Sequence, residues 1–382
     1  MSIEQSVKNI SDLAKSLNET FYERQEEVRI LLLALCAREH VFFLGKAGVA
    51  KSMIIEAISK STDCSYFESL LCKDSKADQL FGPFKISDLK KDMRNRNTDN
   101  MLPEAQLVFL DECFKANSTV LNNLLKIMNE KKFYNNGQWN DLPLKSLFGA
   151  SNELPQDKSL KALYDRFLFR KEVKSIHSGK NFLSLMKSNI SLNSLPKVSW
   201  KDFDSIYEAS KTVKDCDKVI ESLYKIKKQI GITSDRKCLK AYRAMKVAAV
   251  LSGRDKVCQK DLMILRHIFW DTPSEEAEVT AAVGAFVGSK VKDALSLVGR
   301  FLSELGLDPN LVKDSEDVIK AIKKLANESN VSILSNARRS CSSFQEELDL
   351  MAEEDDDCSE IAGSFSDYWQ ELQNSLKSAI GL

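Results

Sequence analysis

Residues 45–52 read Gly-Lys-Ala-Gly-Val-Ala-Lys-Ser, after the apolar run 41–44 and before a helix-forming stretch that begins at Met53. A strand, a glycine-containing turn and a helix start form the local structure that binds nucleotide phosphates, because glycines let backbone N–H groups approach phosphate oxygens. Lys51 is then expected to reach the β- and γ-phosphates, and Ser52 to ligate Mg²⁺. The alternative is a plain glycine turn between a buried strand and a helix. The predicted phosphate-binding residues are Gly45, Lys46, Ala47, Gly48, Val49, Ala50, Lys51 and Ser52.

Ala50 departs from the strict pattern G-x-x-x-x-G-K-[ST], which has glycine at this position. Because this residue opens the helix, we expect it to take ordinary right-handed helical geometry, in which alanine is unstrained. The departure is therefore expected to weaken the motif match more than phosphate binding itself.

Two acids, Asp111 and Glu112, follow the apolar run 107–110. This is the pattern of a buried parallel strand whose carboxyl end carries function. It resembles a Walker B box, in which Asp111 holds magnesium through water while Glu112 orients and deprotonates the attacking water. A strand that ends in two acids at a solvated loop is the plainer alternative.

Asn152 follows a third short strand, predicted at 146–150. It is expected to lie between the phosphate loop and the two acids and to hydrogen-bond the attacking water or the γ-phosphate, the role called sensor 1. Taken alone, an asparagine after a strand is an ordinary turn residue. The functional interpretation depends on its position in the chain, as the third motif after the phosphate loop and the two acids.

Several separated motifs, taken in this order, resemble the MoxR family of AAA+ ATPases and most closely its RavA-type branch. The resemblance covers roughly residues 5–272 and implies an α/β fold, with a parallel-sheet nucleotide-binding core and an all-α lid. It also implies ATP and Mg²⁺ as cofactors and chaperone-like work, often beside a protein with a von Willebrand factor A domain. The segments that carry it are 44–52, 81–83, 102–105, 109–112, 121–130, 150–155 and 162–166.

Three further site residues come from the resemblance. Arg166, just before the fifth core strand, matches an arginine that points into the neighbouring subunit's nucleotide, and Arg170 is the second candidate for this finger. A true finger implies a homo-oligomeric ring, expected to be a hexamer, whose monomer hydrolyses ATP poorly. Arg236 matches the second sensor, which bridges lid and phosphate, or else is a solvated neighbour of a helix cap. Tyr22 is a candidate contact to the adenine, or a core aromatic.

Helices and strands alternate along the first half of the chain, which predicts a parallel sheet with right-handed crossovers. The expected domains are a core at 1–175, an all-α lid at 176–275, and a helical C-terminal extension with an acidic tract at 276–382. The core carries an insert at 75–104, whose basic cluster is either a partner surface or a solvated helix face. It also carries a hairpin at 133–145, in which Tyr134 and Trp139 contact a client or pack across the strands.

Composition narrows the class of protein. The chain has 382 residues, with 55 basic and 55 acidic side chains, so no overall positive field attracts nucleic acid. No stretch approaches about 18 uninterrupted apolar residues, and no apolar signal core follows a basic N-terminus, so membrane insertion is not expected. The nine cysteines are scattered and form no C-x-x-C pair, which indicates reduced thiols, a cytoplasmic protein and no zinc site. Cys113 is expected to be a packing residue.

These observations favour an ATP-driven machine that remodels a partner protein, with an unknown client and a von Willebrand factor A domain protein as the expected partner. One alternative is a DNA-acting AAA+ motor, a helicase or restriction translocase, against which the neutral charge counts. Another is a nucleotide-dependent scaffold with slow turnover, against which the intact Glu112 counts.

Overall fold

The computed structural model describes residues 2–188, 192–287 and 344–345. Their strands are β1 (Val41–Leu44), β2 (Tyr66–Leu70), β3 (Leu107–Asp111), β4 (Lys132–Asn135), β5 (Gln138–Asp141), β6 (Ser146–Ser151) and β7 (Phe169–Glu172). Five of them form one parallel sheet in the order β2-β3-β6-β1-β7, and β4 and β5 form a separate antiparallel hairpin.

The central strands are buried because both faces of a parallel sheet are covered. All four residues of β1 and all six of β6 are buried, whereas β2, at one edge, is only partly covered. Each strand pair has parallel register, for example Val41 opposite Phe148 and Leu44 opposite Ser151. The carboxyl ends of β1, β3 and β6 therefore meet at one edge of the sheet, as the sequence predicts.

Helices cover the sheet and form the region that follows it. In and around the sheet they are α1 (Ile3–Thr20), α2 (Gln25–Ala37), α3 (Lys51–Ser61), α4 (Ala77–Phe81), α5 (Ile86–Leu89), α6 (Ser118–Glu130) and α7 (Lys158–Tyr164). After β7 they are α8 (Gly179–Lys187), α9 (Trp200–Ser210), α10 (Asp217–Ile230), α11 (Asp235–Leu251) and α12 (Glu276–Gly284). The predicted parallel-sheet core followed by an all-helical region is confirmed.

Two helical segments differ from what their sequence pattern predicts. The apolar face of residues 22–38 predicts a helix from residue 22, but α2 begins at Gln25 because Glu23 has φ 56, which lies in the left-handed region. Tyr22 consequently lies in the turn between α1 and α2. The pattern at 258–269 predicts a further lid helix, but the structure has a run of 3-10 turns over Gln259–His267.

The main core cluster lies on one face of the sheet around Phe42. Its ring centroid is 5.0 Å from that of Phe114, 5.3 Å from Tyr164 and 5.7 Å from Phe167. Cys113 is fully buried in this cluster, and burial raises the pKa of its thiol well above the usual range, as suits a packing residue.

The first helix is joined to the helical region through buried polar contacts. The carboxylate of Asp202 on α9 accepts hydrogen bonds from the hydroxyl of Ser6 at 2.7 Å and from the amide of Asn9 at 3.0 Å. Asp202 is 1% exposed, so both contacts are shielded from water. Helix α1 therefore packs against α9 although about 190 residues separate them along the chain.

Residues up to Val283 form one compact unit. The predicted C-terminal extension at 276–382, with its acidic tract, lies outside the described residues apart from 276–287 and 344–345. Among the helices that the structure describes, none combines the length and the apolarity needed to cross a lipid bilayer.

Candidate nucleotide-binding site

The predicted phosphate loop lies at the carboxyl edge of the sheet, directly after β1. The N–H of Gly45 donates to the carbonyl of Ser151 at 3.0 Å, and the carbonyl of Val173 approaches from the other neighbouring strand. A Cβ on Gly45 would lie 2.5 Å from that carbonyl oxygen, too close for any side chain. Glycine is therefore required at position 45 by the close approach of the chain after β7.

Ala50 does not take the right-handed helical conformation that the sequence predicts. It has φ 67 and ψ 19, immediately before α3. The left-handed conformation costs a residue with a Cβ about 1–2 kcal/mol, and glycine avoids this cost. The expectation that alanine is unstrained here was wrong, and the loop carries the strain that a glycine at this position would relieve.

Lys51 is buried at the centre of the loop. Its ammonium group donates to the carbonyl oxygens of Gly45 and Lys46, the latter at 2.9 Å, and only 7% of the residue is exposed. Burial lowers the pKa of Lys51, while the charges of Asp111 and Glu112 act in the opposite direction. Because β1 and β3 both end at this edge, with β6 between them, Lys51 and the two acids lie at the same edge of the sheet.

Asp111 and Glu112 lie at the end of β3, beside the loop. The N–H of Glu112 donates to the Asp111 carboxylate at 3.0 Å. Glu112 has φ 51, a left-handed conformation that is uncommon for a residue with a side chain and recurs at functional sites. Its carboxylate lies 3.3 Å from the ammonium of Lys115 and accepts a long hydrogen bond, 3.5 Å, from the hydroxyl of Ser151.

The residues at this edge suit a magnesium ion. Ser52 is exposed in the first turn of α3, and Asp111 is partly exposed at the end of β3. A hydroxyl and a carboxylate are hard oxygen donors, and Mg²⁺ prefers one or two such protein ligands with water and phosphate filling its other positions. Among the described residues no cluster of three or more His, Cys, Asp or Glu side chains forms a closed metal site. The donor set therefore fits an ion that nucleotide phosphates would share.

Asn152 follows β6, the strand between β1 and β3, and its side chain is exposed at the same edge. Tyr22 is partly buried in the turn at 21–24, between α1 and α2. Three of the groups that the sequence places in one site, the loop, the two acids and Asn152, thus meet at one edge of the sheet. Their roles stay predictions.

Two residues next to Tyr22 were missed by the sequence analysis. Arg24, 5% exposed, donates to the carbonyl of Val49 in the phosphate loop at 3.2 Å and to that of Lys174 at 2.6 Å. Glu23 accepts from the backbone N–H groups of His177 at 2.7 Å and Ser178 at 2.9 Å. Together they tie the loop to the chain that leaves β7. No local pattern signals these pairs, because up to 155 residues separate their members.

The two candidate finger arginines have different surroundings. Arg166 lies at the amino end of the last core strand, so the strand lies between it and the phosphate loop of its own chain. It is partly exposed, donates to the carbonyl of Ala162 at 3.0 Å, and its buried Nε has no hydrogen-bond partner among the described residues.

Arg170, in contrast, is fully buried, and its two terminal nitrogens are bonded although its Nε has no hydrogen-bond partner among the described residues. It donates to the carbonyl of Trp270 at 2.6 Å, pairs with the carboxylate of Asp271, and stacks on the ring of Tyr164 at 3.8 Å. These contacts join β7 to residues 270–271 of the helical region. Arg170 cannot reach a neighbouring subunit without losing them, so it is not available as a finger.

Arg236 lies far from the predicted phosphate site of its own chain. Its guanidinium donates to the side chain of Asn129 near the end of α6 and lines a cleft with His40, the residue before β1. The phosphate loop follows the other end of β1. The expected bridge from lid to phosphate through Arg236 within one chain is therefore wrong for this structure, because β1 separates the two positions.

Comparisons with known proteins agree with this geometry. A five-stranded parallel sheet with a phosphate loop after its first strand, paired acids on a neighbouring strand and a helical lid defines an AAA+ ATPase. Residues 8–204 match the model of the MoxR domain in the MoxR-vWA-beta-propeller ternary systems, and residues 218–283 match an AAA lid domain. The chain belongs to the MoxR family of AAA+ ATPases, as the sequence motifs indicated; the RavA-type branch stays a prediction.

Relatives of the chain include two Methanocaldococcus jannaschii proteins. The uncharacterized protein MJ0079 is 43% identical over 267 residues, 69% of this chain and 70% of that protein. The uncharacterized protein MJ0812 is 41% identical over 279 residues, 72% of this chain and 74% of that protein. The structural protein ORF618 of Acidianus two-tailed virus is 28% identical over 181 residues, 44% of this chain and 29% of that protein.

A solved structure shares the fold. The crystal structure of a presumed ATPase from Cytophaga hutchinsonii superposes with a TM-score of 0.60 and covers 75% of this chain and 96% of that one. The two sequences are 18% identical, so the likeness bears on the fold alone.

Proposed function

We propose that this MoxR-family ATPase binds Mg-ATP at the loop 45–52 and hydrolyses it in a homo-oligomeric, hexameric ring to remodel a partner protein. The observation that carries the proposal is the position of Lys51, buried in the loop after β1, at the edge of the sheet where Asp111 and Glu112 lie at the end of the buried strand β3. A cation and two carboxylates at the carboxyl edge of a parallel sheet supply what phosphoryl transfer to water needs.

The proposed role of each site residue follows from the chemistry of its side chain or backbone. The loop N–H groups and Lys51 hold the triphosphate, with Lys51 exchanging its bonds to loop carbonyls for bonds to phosphate oxygens. Ser52 and Asp111 would hold Mg²⁺, which neutralises phosphate charge when bound. Glu112 orients the attacking water and takes its proton, and Asn152 holds that water or the γ-phosphate from the neighbouring strand.

Arg166 completes the site of the neighbouring subunit. It cannot reach the phosphate loop of its own chain, and its partly free guanidinium is suited to charge that develops on the transferred phosphoryl group. Arginine fingers are worth about 10³-fold or more in rate. Tyr22 would contact the adenine from the turn that Arg24 ties to Val49.

The partner is proposed from the family. The matching model describes MoxR domains of systems that also contain a von Willebrand factor A domain protein and a β-propeller protein, and we infer such proteins as partners. A surface for contact exists where the insert 75–104 meets the hairpin of β4 and β5, since Asn135 donates to and accepts from residues 95–96. Five large side chains are exposed there: Ile86, Leu89, Met93, Tyr134 and Trp139. Tyr134 and Trp139 are also a cross-strand pair, so packing and client contact are compatible.

The division of the chain is also part of the proposal. A nucleotide-binding core at 1–175, a lid at 176–275 and an extension at 276–382 would let hydrolysis move the lid relative to the sheet. We also propose that the protein acts in the cytoplasm, where thiols stay reduced. The scattered cysteines support this proposal, and every cysteine that the structure describes is free.

The test is ATP turnover by the wild-type chain and by Glu112→Gln, each with and without single-stranded DNA. The proposal expects turnover that Glu112→Gln abolishes, together with retained ATP binding and no response to DNA. Strong stimulation by DNA favours the DNA-acting motor, and near-zero turnover in assembled wild-type rings favours the slow scaffold. A pull-down with a von Willebrand factor A domain protein encoded beside the gene tests the partner separately.

A further inference from the structure

A second charged cavity lies at the amino edge of the sheet, away from the phosphate loop. It is a cleft of about 940 Å³ between the end of α2, the end of α6 and the faces of α9 and α11. We name it the basic cleft. Seven cationic side chains and two carboxylates line it: Arg38, Lys131, Lys211, Arg236, Lys240, Arg243 and Lys246, with Glu39 and Asp215. The chain as a whole carries equal numbers of acidic and basic residues, so this is a local concentration of positive charge.

Helix α11 presents a stripe of cations to the cleft. Arg236, Lys240, Arg243 and Lys246 follow one another at spacings of three or four residues, which places them on one helix face. Like charges at this spacing repel each other and destabilise a helix. The stripe therefore destabilises α11 unless negatively charged groups lie across the cleft from it.

Only two of the four cations in this stripe have a carboxylate partner among the described residues. Lys240 pairs with Glu39 at 2.5 Å and Lys246 with Asp215 at 2.7 Å. Across the cleft, Arg38 pairs with Asp204 at 2.7 Å and Lys211 with Glu208 at 2.7 Å. Lys131, Arg236 and Arg243 have no carboxylate partner among the residues that the structure describes.

Two helix ends point into the cleft and carry cations in strained positions. Arg38 ends α2 with φ 54, and Lys131 ends α6 with φ 53, where glycine is the usual residue. Cations at helix ends offset the helix dipole, which contributes about half a negative charge at each end. After all four paired carboxylates and both dipoles are counted, the cleft keeps a surplus of roughly two positive charges.

Burial raises the free energy of this excess positive charge, because a charged group loses its contact with water. Lys131 is partly buried, and burial together with the charges of Arg38, Lys145 and Lys240 lowers its pKa, although Glu39 acts in the opposite direction. A bound anion would remove this repulsion and accept bonds from the three side chains that lack a carboxylate partner, a gain that oxygen-rich phosphates provide best.

We infer that the basic cleft binds a polyphosphate anion, the triphosphate group of a nucleotide or a free inorganic polyphosphate. The inference follows from the cavity's size, its seven cations and the three that lack a carboxylate. For an anion from solution it does not depend on the proposed function, because the cleft and the loop at Lys51 lie at opposite edges of the sheet; for a neighbour's nucleotide it rests on the proposed ATP binding and ring. The anion comes either from solution or from the nucleotide bound by a neighbouring copy of this chain.

The test uses the full chain with Lys51→Ala, which removes the loop site, and inorganic tripolyphosphate as the probe in calorimetry. We expect binding that Lys131→Gln with Arg243→Gln weakens by roughly tenfold. The control is Lys225→Gln with Lys228→Gln, which removes the same charge from exposed positions on α10 and is expected to leave binding unchanged.

A second arm separates the two sources of the anion. For an anion from solution, the chain binds tripolyphosphate as a monomer, and the cleft pair leaves the KM for ATP of the otherwise wild-type protein unchanged. For a neighbour's nucleotide, the cleft pair raises that KM by roughly tenfold in assembled protein, whereas the monomer does not bind the probe. The inference fails if the cleft pair matches the control in both arms, or if a single-stranded oligonucleotide binds the cleft and tripolyphosphate does not.

Discussion

The hydroxyl of Ser151 lies 3.5 Å from a carboxylate oxygen of Glu112, so the last residue of β6 contacts the acid that follows β3. Ser151 is 1% exposed and also accepts from the N–H of Glu153 at 3.3 Å. The hydroxyl is held by the strand end, and it restricts where the carboxylate points. Ser151 is thus a positioning residue for the proposed base, one that the sequence analysis passed over in favour of Asn152.

Replacing Ser151 by alanine is expected to lower kcat for ATP by about fivefold, because the lost contact is long and worth about 1 kcal/mol. The affinity for ATP should not change, since the hydroxyl does not touch the phosphate loop's donors. Steady-state kinetics and calorimetry with ATP measure the two quantities. Ser61→Ala, which removes a buried hydroxyl bonded to the carbonyl of Ala57, is the matched control, and equal effects of the two changes would contradict the role.

Ala50→Gly is expected to stabilise the chain by about 1 kcal/mol, because glycine adopts the left-handed conformation at no steric cost. Urea unfolding of the wild type and the variant measures the change. The control is Ala47→Gly in the same loop, where φ is not positive and the change should be neutral or destabilising. A destabilised Ala50→Gly would show that the alanine is not strained.

Ala50 illustrates which parts of the structure can be predicted from the sequence and which cannot. The order of apolar runs and polar strand ends predicted the sheet, the loop and the acids, because those depend on local pattern and on the rule that parallel strands carry function at their carboxyl ends. The conformation of Ala50, the contacts of Arg24 and the position of Arg236 depend on how distant segments meet. Arg24 reaches Lys174 and Arg236 reaches Asn129 only in the folded chain, and no periodicity encodes such pairs.

Arg166→Ala is expected to lower ATP turnover by about 10³-fold while ATP binding and assembly persist, because the finger acts on the neighbour's nucleotide. Mixing inactive Arg166→Ala with inactive Lys51→Ala should restore part of the activity, since some interfaces then combine an intact loop with an intact arginine. Turnover and sizing with nucleotide measure this. Mixtures that stay inactive would contradict action between subunits.

Arg170→Ala is expected to act on stability instead. Removing this buried guanidinium leaves the carbonyl of Trp270 without its donor and Asp271 without its cation, at a cost of about 3 kcal/mol or more. Asp271→Asn should cost less, about 1–2 kcal/mol, because Asp271 is exposed and screened by water. Urea unfolding ranks the two changes, and a fully stable but inactive Arg170→Ala would restore Arg170 as a candidate finger.

His40 is expected to make stability depend on pH. Burial first, and then the charges of Lys240 and Lys131, lower its pKa to about 3, although its bond to the Met128 carbonyl acts in the opposite direction. The imidazole stays neutral, since Nδ1 accepts from the N–H of Leu147 at 2.9 Å. Between about pH 6.5, the ordinary value, and pH 3 the unfolded chain takes up a proton that the folded chain refuses, so stability falls as the pH falls.

Urea unfolding of the wild type and of His40→Gln at pH 7, 5.5 and 4.5 measures this contribution. Glutamine can accept from Leu147 and donate to Met128, and it takes no proton, so its stability should fall less between pH 6.5 and 4.5 than that of the wild type. His177→Gln, at an exposed side chain, is the matched control and should keep the wild-type slope. Equal slopes for His40→Gln and the wild type would mean that the folded chain protonates His40, and the buried contacts to Met128 and Leu147 could not then both be intact.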